Sequence, residues 1–121
     1  MSGLVFFGSK SYEETAAFYV EEVGADVWLE QSACTILQYD NLLFGFCEAA
    51  ETETEGVLTF VTEDRDGVDA FYDRFADRAR DEPSVNEAFD IYNFFATDPD
   101  GRTVEVQTFR HRIPPINADR E

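Results

Sequence analysis

Residues 94–109 read FFATDPDGRTVEVQTF, which sets one carboxylate, Glu105, in an otherwise apolar strand just beyond an Asp-Pro-Asp-Gly turn. A carboxylate in that setting suits a metal ligand, a ligand contact in an apolar cleft, or an acceptor for neighbours such as Thr59 on the facing strand. General-base chemistry has less behind it, because no other reactive group is spaced to work with it. His111 is the only histidine and stands between Arg110 and Arg112, so no second His is available for a metal cluster. Neither a Ser-His-Asp nor a Cys-His arrangement has supporting residues. The seven glycines are scattered and form no phosphate cradle. The two cysteines are better placed than their number suggests. A two-residue hairpin turn at Asp40-Asn41 puts Cys34 directly opposite Cys47, at a non-hydrogen-bonded pair with Cα atoms about 4.5 Å apart, a separation compatible with a disulfide. The leading expectation is nevertheless two reduced, apolar thiols in a cytosolic sheet.

The elements that would carry these residues have a strongly acidic background. Lys plus Arg number 9 against 26 Asp plus Glu, a net charge of −17, and Lys10 is the only lysine. Such a surface repels nucleic-acid phosphates, and no basic stripe offsets it. The acids are spread through every exposed segment rather than clustered, which favours adaptation to concentrated salt over a dedicated field for a cationic ligand. A length of 121 residues with 44% hydrophobic and 15% aromatic side chains suits one domain with a real core. No run approaches the roughly 18 apolar residues of a membrane span. The opening MSGLVFFGSK has no basic region before its short apolar run and no small-residue cleavage site. The expected compartment is therefore the cytoplasm.

The chain contains a repeat. Residues 3–19, GLVFFGSKSYEETAAFY, align without a gap on residues 56–72, GVLTFVTEDRDGVDAFY. Each copy opens with a strand, 4–8 or 57–62, followed by a helix. In the first helix Ser11 with Glu14 forms a capping box, and Tyr12, Ala16, Tyr19, Val20 and Val23 recur at helical spacing. In the second, Asp64 or Asp66 caps, and Val68, Phe71, Tyr72, Phe75 and Ala79 make the apolar stripe. Strands follow at 26–31, 33–39 and 42–48, and again at 85–89, 91–97 and 103–109. A type I turn with a left-handed Gly101 precedes the last strand. The order is βαβββ twice: module one at 3–48, an acidic solvated connector at 49–55 and module two at 56–109. A surface tail occupies 110–121.

Two βαβββ modules, helices carrying Phe-Tyr, and a final hairpin reading DPDG-x-x-V-E resemble the vicinal oxygen chelate superfamily of glyoxalases, bleomycin-resistance proteins and extradiol dioxygenases. The resemblance spans about residues 3–109, within a domain expected at 1–109. It implies an α+β fold of two βαβββ modules in one domain, with curved mixed sheets enclosing a cleft and the helices outside. It also implies homodimerisation. In the metal-dependent members each module supplies one ligand from its first strand and one from its last. The corresponding positions here are Leu4, Gly45, Val57 and Glu105. Three of them offer no atom to a cation, and a catalytic divalent metal normally takes three protein ligands. No metal and no cofactor is therefore expected.

Strand parity from these positions puts Phe6, Ile36, Gln38, Leu43, Thr59, Thr103 and Gln107 with Glu105 on the cleft face. Of these, Glu105, Phe6, Ile36, Gln38, Leu43, Thr59 and Gln107 are the expected ligand contacts. Val5, Phe7, Leu58, Phe60, Phe44, Phe46, Val104 and Val106 should pack under the helices. Trp28 and Tyr39 are large enough to wall the cleft. The reading favoured by the sequence is a metal-independent binding protein of the glyoxalase/bleomycin-resistance type, holding a small organic molecule, with aromatic and cationic ligands as candidates. It expects no nucleic-acid or membrane partner. A metal-dependent lyase, isomerase or dioxygenase is the first alternative. A structural or regulatory homodimer with a collapsed cleft is the second.

Overall fold

The computed structural model describes residues 3–116. The chain divides into two compact units, residues up to Thr54 and Glu55–Ile116. Each is an open four-stranded mixed sheet with one helix. In the first, β1 (Leu4–Ser9), α1 (Tyr12–Phe18), β2 (Asp26–Gln31), β3 (Cys34–Tyr39) and β4 (Leu42–Glu48) give the sheet order β1-β4-β3-β2. In the second, β5 (Val57–Val61), α2 (Arg65–Phe75), β6 (Ser84–Asn86), β7 (Ile91–Thr97) and β8 (Thr103–Phe109) repeat it as β5-β8-β7-β6. In each unit the first strand runs parallel to the last and the remaining pairs are antiparallel. The expected α+β architecture of two βαβββ modules is the observed one.

Alternation along the strands assigns the core. In the first unit Phe44, Phe46 and Leu37 are fully buried, and Tyr19 reaches the two phenylalanine rings at 5.3 and 5.2 Å. In the second, Leu58, Phe60, Phe94, Val104 and Val106 are buried, with Phe75 of α2 at 5.8 Å from Phe94. The Phe-Tyr pairs of the repeat therefore serve packing, each buried ring supplying about 1.5–3 kcal/mol of burial energy. Val5 departs from the expected pattern: it lies on an edge strand and remains exposed.

The helix ends differ between the units. The Asp64 carboxylate caps α2, accepting from the Gly67 amide at 2.9 Å, and its extended backbone provides the usual cap geometry. Ser11 precedes α1 but makes no capping hydrogen bond, because its φ of −126° and ψ of 50° lie outside that geometry. The expected capping box is absent. After α1 the chain widens into a π-helical turn, Tyr19–Val23, closed by Gly24. Ala79 is not on the helical stripe: α2 ends at Phe75, a single 3-10 turn follows, and Ala79 bridges Ala96 of β7.

Three connections also depart from expectation. The strand expected at 85–89 is β6, only Ser84–Asn86, because the Asn86 side chain accepts from the Ala88 and Phe89 amides and turns the chain away. The acidic connector is not simply solvated. The Glu53 amide donates to the Gly8 carbonyl at 2.9 Å, and the Gly8 amide donates to the Glu53 carboxylate at 2.6 Å, which covers the free edge of β1. Trp28 sits at a register shift between Val27 and Leu29, a bulge on edge strand β2, and is exposed.

The turn before β8 forms as expected. The Gly101 amide donates to the Asp98 carbonyl at 2.9 Å, and Gly101 adopts φ +89°. The sequence did not signal its buried ion pair: Arg102 donates to Asp98 at 2.7 Å, with both side chains fully enclosed. Of the tail, residues 110–116 are exposed, and 117–121 lie outside the described residues.

Candidate functional site

Strand register assembles a polar row on one face of the second sheet. Thr59, Glu105 and Phe95 are paired neighbours across β5, β8 and β7, as are Val61, Gln107 and Asn93 in the next row. Residues paired directly across a sheet project to the same face. Helix α2 packs on the opposite face through Phe94 and its neighbours, leaving this one uncovered by α2.

The Glu105 carboxylate is held from both sides. Thr59 Oγ1 donates to Oε1 at 2.9 Å, and Asn93 Nδ2 donates to Oε2 at 2.8 Å. The Thr59 contact is the one expected from the sequence; Asn93 is an addition. Beside them the Gln107 side-chain carbonyl is buried with no hydrogen-bond partner among the described residues. A buried acceptor left unmade costs about 1–3 kcal/mol, so a donor arriving there would be stabilised.

These groups border a cavity of about 490 Å³ lined by Val57, Asn86, Phe89, Ile91, Asn93, Phe95, Glu105, Gln107 and Phe109. Its walls are mainly apolar and its convergent polar groups few, the usual make-up of a small-molecule site. Of the seven contacts expected from the sequence, Glu105 and Gln107 line it, and Thr59 supports it from the adjacent strand.

The other four lie in the first unit. Phe6 and Ile36 both pair with Gly45, while Gln38 pairs with Leu43, so these residues do share one sheet face. None of the four lines the cavity of the second unit. The Phe6 ring lies over Gly45, where an added Cβ would meet it at 2.9 Å, and Ile36 is buried. The Gln38 amide donates to the Asp40 carbonyl at 3.2 Å. Sequence reasoning missed Asn93, Phe95, Ile91 and Phe109, although the alternation applied to β8 would have found the β7 residues.

The metal ligands of the resembling family do not fit these positions. Leu4, Gly45 and Val57 carry no donor, both Glu105 oxygens already accept hydrogen bonds, and the described residues contain no group of three His, Cys, Asp or Glu side chains able to hold an ion. The cysteines are joined as a disulfide, with Cα atoms 4.1 Å apart, which overturns the expectation of free thiols. The physical reason is register. The Glu48 amide donates to the Ala33 carbonyl at 2.8 Å, so hydrogen-bonded pairs flank Cys34 and Cys47 and leave them at the close, non-hydrogen-bonded position. His111 is exposed, 5.5 Å from the Phe109 ring.

Solved structures share this architecture. An integron cassette protein from the mobile metagenome of the Halifax Harbour sewage outfall superposes with a TM-score of 0.76 at 18% identity, covering 90% of this chain and 98% of that one. Lactoylglutathione lyase from Agrobacterium tumefaciens gives 0.73 at 16% identity, covering 89% and 92%. A glyoxalase/bleomycin resistance protein/dioxygenase from Nocardioides gives 0.74 at 12%, covering 97% and 88%. No family model and no curated protein sequence matches the chain. Among the described residues no helix is long and apolar enough to cross a membrane. At these identities the likeness is one of fold, and the chain has the fold seen in these glyoxalase/bleomycin resistance protein/dioxygenase structures.

Proposed function

We propose that the protein is a metal-independent small-molecule binder, with its ligand held on the face of the second sheet around Glu105. The observation carrying this reading is the cavity of about 490 Å³ in which aromatic walls meet Glu105, Asn93 and the unpartnered Gln107 carbonyl. The donor-poor set Leu4, Gly45, Val57 and Glu105 supports binding over metal-assisted lyase, isomerase or dioxygenase chemistry. A cavity of this size also speaks against a module filled by its own side chains.

Two titrations test the proposal. Chelator-stripped protein titrated calorimetrically with Ni²⁺, Mn²⁺, Zn²⁺ and Fe²⁺ should show no saturable site. One tight site per chain, lost in Glu105→Ala, would restore the metalloenzyme. A thermal-shift screen of small aromatic molecules should find ligands that raise the melting temperature, since selective binding to the native state stabilises it. Val57→Trp, which fills the cavity, should abolish that rise. A rise that survives Val57→Trp moves the site elsewhere.

We also propose a cytoplasmic homodimer adapted to concentrated salt. Acids dispersed over the exposed segments support the salt adaptation, and exposed apolar side chains such as Leu4, Phe6 and Trp28 support self-association. Sedimentation in 3 M KCl that finds only monomer across the concentration range ends the dimer claim.

A further inference from the structure

Among the described residues Arg80 takes part in no ion pair, although the chain carries 26 acids to 9 Lys plus Arg. It is instead held by neutral groups. Its amide donates to the Phe95 carbonyl at 2.8 Å, next to the Ala79–Ala96 bridge, so Arg80 is paired directly across from Phe95. Its Nε donates to Thr97 Oγ1 at 3.0 Å and its Nη2 to Thr103 Oγ1 at 2.9 Å.

Those contacts fix the side of the sheet. Arg80 opposite Phe95 shares the face of Phe95 and Glu105, and Thr97 opposite Thr103 forms the adjoining row. The guanidinium therefore lies beside the cavity, over the row before Glu105. Thr103 and Glu105 are two residues apart on one strand, a separation of roughly 7 Å. Hydroxyl acceptors orient the guanidinium without neutralising it, and further N–H donors remain for a planar anion.

We propose that Arg80 is the anion anchor of the ligand site, and that the ligand is a small aromatic zwitterion. Its carboxylate is taken by Arg80, its ammonium by Glu105, and its ring lies against Phe95. This rests on the cavity being a ligand site. A zwitterion also suits the molecule as a whole: a purely anionic ligand would meet the field of a net charge of −17, whereas a neutral pair of charges does not.

Three probes separate the claims: 4-(aminomethyl)benzoate, which has its charges at opposite ends of one ring, with benzylamine and benzoate as its halves. Affinities are read by amide NMR titration of the parent protein, Arg80→Gln, Arg80→Lys and Glu105→Gln at one fixed ionic strength. The zwitterion should bind the parent most tightly. Arg80→Gln should weaken it by about tenfold, the effect of losing a charge-assisted pair, while leaving benzylamine within about twofold. A loss confined to the acid-bearing probes is something a purely structural role for Arg80 would not produce. Arg80→Lys should recover part of the loss, and Glu105→Gln should weaken both amines. Zwitterion affinity unchanged in Arg80→Gln but reduced in Glu105→Gln overturns the anion anchor and leaves the cavity reading intact. No perturbation of the Asn93, Glu105 or Gln107 amides by any probe overturns both.

Discussion

Glu105, Gln107 and Phe109 are all carried by β8, which is entered through the Asp98–Arg102 turn, so that turn is the place to test how the site is held. Asp98 and Arg102 are fully enclosed side chains paired at 2.7 Å. Breaking a buried pair by removing one partner costs about 3–5 kcal/mol, because the remaining charge stays desolvated. Asp100 remains 3.2 Å from the same guanidinium nitrogen, which points to the lower end of that range. Asp98 Oδ1 also accepts from the Asp100 and Arg102 amides at 2.9 Å each, worth about 1 kcal/mol apiece. Asp98→Ala should therefore cost about 4–5 kcal/mol, a large share of the 5–15 kcal/mol typical of a domain. Asp98→Asn, which can still accept from both amides, should cost about 3 kcal/mol. Urea unfolding at constant KCl reads the difference: with a slope of about 2 kcal/mol/M, the Asp98→Ala midpoint falls by roughly 2 M. An Asp98→Asn variant within about 1 kcal/mol of the parent would refute the reasoning, since the ion pair would then contribute no more than an exposed one.

Other outcomes follow from the same physical arguments. Protein unfolded without reductant should show no titratable thiol. Reduction should lower stability by up to about 3 kcal/mol, the loop-entropy value for a crosslink of this span, and no change would mean that the hairpin alone holds these strands. Tyr92 should keep its proton above the usual tyrosine range, chiefly because its hydroxyl donates to Asp69 at 2.7 Å and secondarily because it is buried, with Arg65 opposing. Its folded pKa then exceeds the unfolded one, so its contribution to stability is complete below pH 10 and fades as pH rises through the folded value. Absorbance titration should show this group's transition moving down in Asp69→Asn; an unmoved transition removes Asp69 as the cause. If −17 reflects salt adaptation, the melting temperature should rise between 0.1 and 3 M KCl, and equal values would leave the charge without that explanation.

Much of the fold was readable because it rests on local rules repeated twice. The 3–19 and 56–72 copies announce equivalent strand–helix units, period-two alternation assigns Phe44, Phe46, Val104 and Val106 to the core, and the Asp-Pro-Asp-Gly turn sets where β8 begins. The Asp40-Asn41 turn determined that Cys34 faces Cys47. Their bonding was not readable, because the expected cytoplasmic compartment favours thiols while proximity favours a bridge. The Thr59–Glu105 contact was legible for a similar reason: both positions follow from strand register.

Tertiary structure decided what depends on residues far apart in sequence or on how a loop returns. Asn86 ends β6 with its own side chain, so the five-residue strand expected at 85–89 became a three-residue one. Phe6 and Gly45 mesh in the first unit, while Phe95, Phe109 and Asn93 shape the cavity in the second. Arg80 belongs to no periodic pattern. It reaches the sheet face of Glu105 only because the chain after α2 returns beside β7, where backbone pairing with Phe95 and the hydroxyls of Thr97 and Thr103 orient it. Periodicity can assign a side chain to a face, but which distant groups converge on that face is set by the path of the whole chain.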